Sequence, residues 1–167
     1  MMPVVIVKLL ATLAIVCNLS LEPVMPEPEP MPEAMTAQAV LEPDMDDVEM
    51  LACVIYQEAG GDACSDECRR YVGDVVLNRV ADSRFPNTIE GVLTAPAQYG
   101  RFATTGIKWP ERAKEPGEAH AVERAYRIAD ELLAGEHSEL YGQGYVWQAE
   151  FVQGTAGFWC NGLYFGR

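Results

Sequence analysis

The chain has 167 residues, 49% hydrophobic and 22% charged, and its 25 acidic against 12 basic residues give a formal net charge of −13. That length fits one domain with short appendages, and the hydrophobic content argues against disorder over most of the chain. The acidic balance argues against a surface for phosphate backbones, so no nucleic-acid partner is expected.

Residues 3–17 are apolar except for Lys8 and Thr12. The run after Lys8 is roughly 9–14 residues, the length of a signal-peptide core and short of the ~20 that a spanning helix needs. Residues 1–21 are therefore expected to be a signal peptide or, if uncleaved, a signal anchor. Either leaves the remainder secreted or tethered to the outer face of the membrane. Val16 precedes Cys17 where a lipobox would carry a small residue, which argues against lipidation. Residues 22–44 hold six acids, no base and six of the 11 prolines, alternating as Pro26-Glu27-Pro28-Glu29-Pro30. Proline favours polyproline II and like charges repel, so this Pro/Glu-rich linker is expected to be an extended spacer. From Met45 onward 19 acids and 11 bases leave a net charge of −8.

Residues 45–167 are long enough to bury a core without disulfides. Asp44 or Asp46 can cap a helix running through Val48, Leu51, Ala52, Ile55 and Tyr56, with Gly60-Gly61 stopping it. Ser65, followed by Asp66 and Glu67, announces a second helix through Val72, Val75, Val76, Arg79 and Val80. Phe85–Thr88 reads as a turn and Ile89–Leu93 as a short helix. Thr94–Glu115 lacks periodicity and reads as a surface segment carrying Tyr99, Phe102 and Trp109. Glu118–Leu133 returns to a 3.6-residue period, ended by Gly135. The aromatic stretches Tyr145–Val152 and Gly162–Gly166 fit strands or extended loops. The expected class is α+β, mostly helical, in a single domain.

His120 and His137 lack a Cys or second His at ligand spacing and are expected at the surface. Glycine-rich phosphate loops are absent, so no cofactor and no metal is expected. Carboxylate chemistry remains. Glu58 ends an apolar helix and precedes Ala59-Gly60-Gly61, small residues that let a ligand approach the backbone. An acid at the edge of an apolar surface has its charged form disfavoured, as suits a general acid. The same position also fits an ordinary helix-end Glu.

Four blocks in order shift that balance: Ile55-Tyr-Gln-Glu-Ala-Gly-Gly-Asp62, Gly73-Asp-Val-Val-Leu-Asn-Arg-Val80, Arg84-Phe-Pro-Asn-Thr-Ile-Glu-Gly-Val92 and Ala97-Gln-Tyr99. Together they closely resemble the bacterial cell-wall hydrolase family, typified by the spore cortex-lytic enzyme (SleB-like) catalytic domain. The resemblance is best over residues 48–102 and weaker through Trp147-Gln148 to the C-terminus. It implies a lysozyme-like fold of lytic transglycosylase type and cleavage of the N-acetylmuramic acid to N-acetylglucosamine bond of peptidoglycan. A simple hydrolase of the same glycan and an inactive peptidoglycan-binding module are the alternatives. The resemblance makes Glu58 the catalytic residue and aligns Tyr56, Ala59, Gly61 and Asp62 with the family pattern, Asp62 standing where Glu is usual. Gln98 and Tyr99 match a Gln-Phe block, where Gln suits an acetamido group and the ring a sugar face. Tyr56, Asp62, Gln98, Tyr99 and Trp147 are thus the expected substrate-binding residues, with core packing the competing reading for Tyr56, Trp109 and Trp147. Asn78-Arg79, although matched, is expected to fix structure. The expected partners are peptidoglycan strands, the protein acting in the wall as a monomer, with anchoring through residues 1–21 if these are retained.

Apart from Cys17, the cysteines are Cys53, Cys64, Cys68 and Cys160. An even number in an exported domain suggests up to two disulfides, with three possible connectivities. Cys64 and Cys68 lie one turn apart at a helix start, so partners elsewhere are expected, a bridge from Cys160 to that helix start among them. Zinc is the competing reading.

Overall fold

In a computed structural model the described residues are 45–61 and 63–167. The expected export segment 1–21, the expected linker 22–44 and Asp62 lie outside them. Five α-helices, α1 (Asp47–Ala59), α2 (Asp66–Ala81), α3 (Ile89–Thr94), α4 (Phe102–Thr105) and α5 (Ala119–Leu133), are followed by three short strands, β1 (Trp147–Ala149), β2 (Gly157–Cys160) and β3 (Leu163–Gly166). The class is mixed α+β, as expected. Among the described residues no helix is long and apolar enough to cross a membrane.

The starts of α1, α2 and α3 are set by local capping. Asp46 accepts from the Glu49 N–H at 2.8 Å, Ser65 from Cys68 at 3.2 Å and Thr88 from Gly91 at 3.0 Å. Each satisfies one of the donors that a helix N-terminus leaves unpaired. At the far end of α5, Gly135 takes φ +96°, and the Glu136 N–H reaches back to the Glu131 carbonyl at 2.8 Å, which ends the helix.

Six consecutive residues of α1, Leu51–Tyr56, have no exposed surface, so α1 is surrounded by its neighbours rather than laid on a core. α5 buries one stripe, Ala121, Ala125, Ile128, Ala129 and Leu132. Gly73 lets α2 close on this pair: a Cβ there would lie 2.3 Å from Leu132 Cδ1 and 3.2 Å from Ile55 Cδ1. The unperiodic stretch 94–115 is not merely surface. Tyr99 and Phe102 are buried in the core and Trp109 packs against Tyr56 and Tyr126. Irregular backbone can bury such rings without any sequence period, because each ring fills a gap between helices.

The sheet order is β1-β3-β2, antiparallel throughout, with Gln148 opposite Phe165 and Phe158 opposite Phe165 on its other side. Asn161 (φ +47°) and Gly162 (φ +85°) close the β2–β3 hairpin. Two left-handed residues are what a two-residue type I′ turn requires, and Asn-Gly is its strongest short-range signal. Three polar groups of α2 anchor the loop leading into this sheet. Asn78 Nδ2 donates to the Leu140 and Tyr145 carbonyls at 2.9 and 3.0 Å, and its Oδ1 accepts from Gly142. Arg79 Nε donates to the Val146 carbonyl at 2.8 Å. Buried Asp74 accepts from Ser138 and pairs with His137 Nδ1 at 2.8 Å. His137 is accordingly a half-buried partner of a core carboxylate, whereas His120 is exposed as expected.

Candidate active site

Glu58 sits on the last turn of α1, half-buried. Two side-chain amides face its carboxyl: Gln57 Nε2 at 3.3 Å and, from β1, Gln148 Nε2 at 3.2 Å. Burial pushes the Glu58 pKa above its ordinary 4.5. The two amides and the Arg79 charge oppose that shift, the Glu150 charge adds to it, and burial wins. The result is a carboxyl that keeps its proton to higher pH than a surface Glu.

A cavity of about 380 Å³ opens at this carboxyl, bounded by Glu58, Gly61, Ala63 and Cys64 on one side and by Asn161 and Leu163 of the hairpin on the other. Asn161 Nδ2 donates to the Ala63 carbonyl at 2.9 Å and holds the two walls together. Cavities of comparable or larger volume elsewhere, one beside Met45 and Met50 and one beside Tyr141 and Arg167, do not include Glu58. Chemistry rather than size singles out the Glu58 cavity.

Around Glu58 the protein leaves buried polar atoms without a hydrogen-bond partner: Gln57 Oε1, Gln148 Oε1, Arg79 Nη1 and the Tyr99 hydroxyl. Buried polar atoms are ordinarily paired, and an unpaired one costs about 1–3 kcal/mol. Arg79 lies over the Tyr99 ring, 5.1 Å from its centre. Burial pushes the Tyr99 hydroxyl up to about 12, so it stays a neutral donor. Two amide acceptors, a guanidinium and a phenol, all buried, thus surround a carboxyl whose protonated form burial favours.

Of the residues expected to bind substrate, Tyr56 is fully buried, with its hydroxyl on Glu118 at 2.7 Å and Arg112 over its ring. It has no surface to offer a sugar. Residues two apart on a helix point about 200° from one another, so Tyr56 and Glu58 cannot share a face. Tyr99 is 4% exposed and its hydroxyl is buried as well, so neither ring face nor hydroxyl lines the cavity. Gln98 is half-buried and follows Ala97, whose φ of +62° places a non-glycine residue in the left-handed region. Trp147 is half-buried, edge-on to Phe85 at 6.5 Å, and is not on the cavity wall. Asp62 lies outside the described residues. The residue that sequence reasoning missed is Gln148, named there only as a stretch of weak similarity. Asn161 was missed too, although the Asn-Gly dipeptide could have pointed to the hairpin that carries it. Asn78 and Arg79 do fix structure as expected, since they hold the loop that delivers Gln148.

The structure holds Cys53, Cys64, Cys68 and Cys160 as free thiols, and Cys160 meets the start of α2, where its carbonyl accepts from Cys68 Sγ at 3.1 Å. Among the described residues no group of three or more His, Cys, Asp or Glu is arranged to hold a metal ion.

A family model described as Cell Wall Hydrolase matches residues 65–161, more than half of the chain. The matched span includes α2, the Gln98-Tyr99 turn, Gln148 and Asn161, and begins seven residues after Glu58. No curated protein and no solved structure matches.

Proposed function

Because the chain belongs to the cell wall hydrolase family, we propose that it cleaves the N-acetylmuramic acid to N-acetylglucosamine bond of peptidoglycan as a lytic transglycosylase on a lysozyme-like scaffold. One observation carries the reading. Among the described residues the cavity wall holds a single carboxylate, Glu58, and burial raises its pKa above the ordinary value. A glycosidase that uses a carboxylate nucleophile or an activated water needs two carboxylates at a set separation. A transglycosylase needs one, because the substrate supplies the nucleophile.

Glu58 gives its proton to the glycosidic oxygen as the bond to the anomeric carbon breaks. The resulting carboxylate takes the proton of the sugar's own 6-hydroxyl, whose oxygen closes a 1,6-anhydro ring on that carbon. No water is consumed, and Glu58 ends in the state in which it began. Gln148 and Gln57 hold the carboxyl through both transfers, and the Arg79 charge favours the carboxylate formed midway. Residues 1–21 and the Pro/Glu spacer would carry the domain beyond the membrane to the wall, secreted or tethered.

Glu150 supports a second reading. It is exposed, yet its charge is felt at Glu58, so it could activate a water for simple hydrolysis. Mass spectrometry of products from purified peptidoglycan separates the two. Anhydro-muramyl ends, unchanged in Glu150→Gln, are expected; reducing ends lost in Glu150→Gln would overturn the transglycosylase. Binding to walls without release of soluble fragments would identify an inactive binding module.

A further inference from the structure

One wall of the Glu58 cavity has no part in the chemistry above. Cys64 forms it, half-buried and facing the cavity. The Cys64 side chain also touches that of Cys68, which in turn touches Cys160. Cys64 and Cys68, four residues apart at the start of α2, thus adjoin Cys160 from the end of β2, and of the three Cys64 lies beside the candidate catalytic acid. Two further bonds keep them there: Asn161 Nδ2 to the Ala63 carbonyl at 2.9 Å and Arg124 Nη2 to the Cys64 carbonyl at 3.3 Å. Cys68 is fully buried, and burial raises its thiol pKa well above the ordinary value. Cys53 sits apart within α1, its thiol pushed by burial up to about 12. Among these thiols, Cys64 is the one that a small molecule meets on entering the cavity.

We propose that Cys64 is a site of thiol–disulfide modification, reacting with a small-molecule disulfide in the cavity and being resolved by Cys68. In the first step the Cys64 thiolate, its proton lost to water, attacks one sulfur of R–S–S–R. A Cys64–S–S–R bond forms and one thiolate R–S⁻ leaves. In the second step the Cys68 thiol loses its proton and attacks the Cys64 sulfur, which expels the second R–S⁻. Overall the protein loses two hydrogens and two electrons, and the small disulfide is reduced to two thiols. A buried, weakly acidic thiol is a poor first attacker. Contact with the Cys64 sulfur gives Cys68 the high effective concentration that an intramolecular step provides. The intermediate places the R–S group beside Glu58 and so blocks the cavity. That consequence for glycan cleavage rests on the proposed role of Glu58; the thiol chemistry does not.

The test treats the reduced full chain, in native buffer, with dithiobis(nitrobenzoate), whose thiolate is coloured. Intact mass and non-reducing peptide mapping follow, so that Cys17 is read separately. Expected are two coloured thiolates released per domain, a product lighter by two hydrogens and a Cys64–Cys68 peptide pair. Cys64→Ser should slow the release about tenfold or more, and Cys68→Ala should stop at one thiolate with the adduct retained on Cys64. A first adduct on Cys160, a wild-type adduct that persists on Cys64, or no native reaction would overturn the proposal. Should Cys68→Ala fail to fold, the wild-type map decides by itself. A glycan-release assay on the trapped Cys64 adduct tests the link to cleavage: full activity with the adduct in place would remove the Glu58 cavity from the reaction while leaving the thiol site standing.

Discussion

Replacing Glu58 by Gln removes one ionisable proton while keeping the volume of the side chain, so its effects on rate and on stability can be worked separately. For the rate, general acid–base catalysis contributes about 10²–10⁴-fold, or ~3–5 kcal/mol of barrier, and the variant loses that contribution entirely. For stability, a protonated carboxyl and an amide each offer one acceptor to the facing amides of Gln57 and Gln148, 3.3 and 3.2 Å away. The two forms are therefore nearly equivalent while Glu58 is protonated. The pKa is raised in the folded protein, chiefly by burial, so the stability tied to the protonated form is fully present below the unfolded value of about 4.5. It is lost as pH rises through the folded pKa. The substituted amide cannot ionise, so Glu58→Gln is expected to match wild type near pH 4 and to be the more stable protein at pH 7. The assays are soluble-fragment release from purified walls across pH and denaturant melts at the same pH values. Cleavage retained within about tenfold would remove Glu58 from the acid role. A stability difference that does not change between pH 4 and 8 would refute the argument that burial holds the proton.

Two further outcomes test how the scaffold positions this acid. Asp66, at the start of α2, accepts from Arg124 and Arg127 of α5 at 2.5 Å each; burial raises its pKa, but these hydrogen bonds and charges outweigh burial and hold it below 3.8. Because the Asp66 side chain is 39% exposed and screened by water, Asp66→Asn is expected to cost only about 1 kcal/mol at pH 7. The cost should fade as pH falls below the ordinary carboxylate range and shrink with added salt, both followed by thermal melts. Gly73→Ala gains helix propensity but drives a methyl to 2.3 Å from Leu132 Cδ1, and such overpacking costs about 1–3 kcal/mol. In a Leu132→Ala background that penalty should largely vanish, which a double-mutant cycle of denaturant midpoints would register as coupling between the sites.

The helix starts were legible because their physics is local. Asp46, Ser65 and Thr88 each cap an N–H three residues away, and the apolar spacing behind each cap follows directly from the helix period. The position of Glu58 at the end of α1 was legible for the same reason. The aromatic stretch 94–115 was not, since Tyr99 and Phe102 are buried by helices far away in sequence rather than by any pattern of their own.

The sharpest contrast lies at Trp147 and Gln148. Neighbours in a strand face opposite sides, so one of the two turns toward Glu58, and sequence alone does not say which. The choice is made by the β1–β3 ladder, which sets Gln148 opposite the fully buried Phe165, and by Asn78 and Arg79, which hold the loop before it. From the sequence by itself came the expectation of an export segment and spacer ahead of an acidic domain, a mostly helical class, and one acid at the end of an apolar helix. Only the tertiary structure decided that Gln148 and the Asn161 hairpin close on that acid and that Tyr56 turns away. Strand register and burial depend on contacts across some 90 residues of chain, and no local period encodes them.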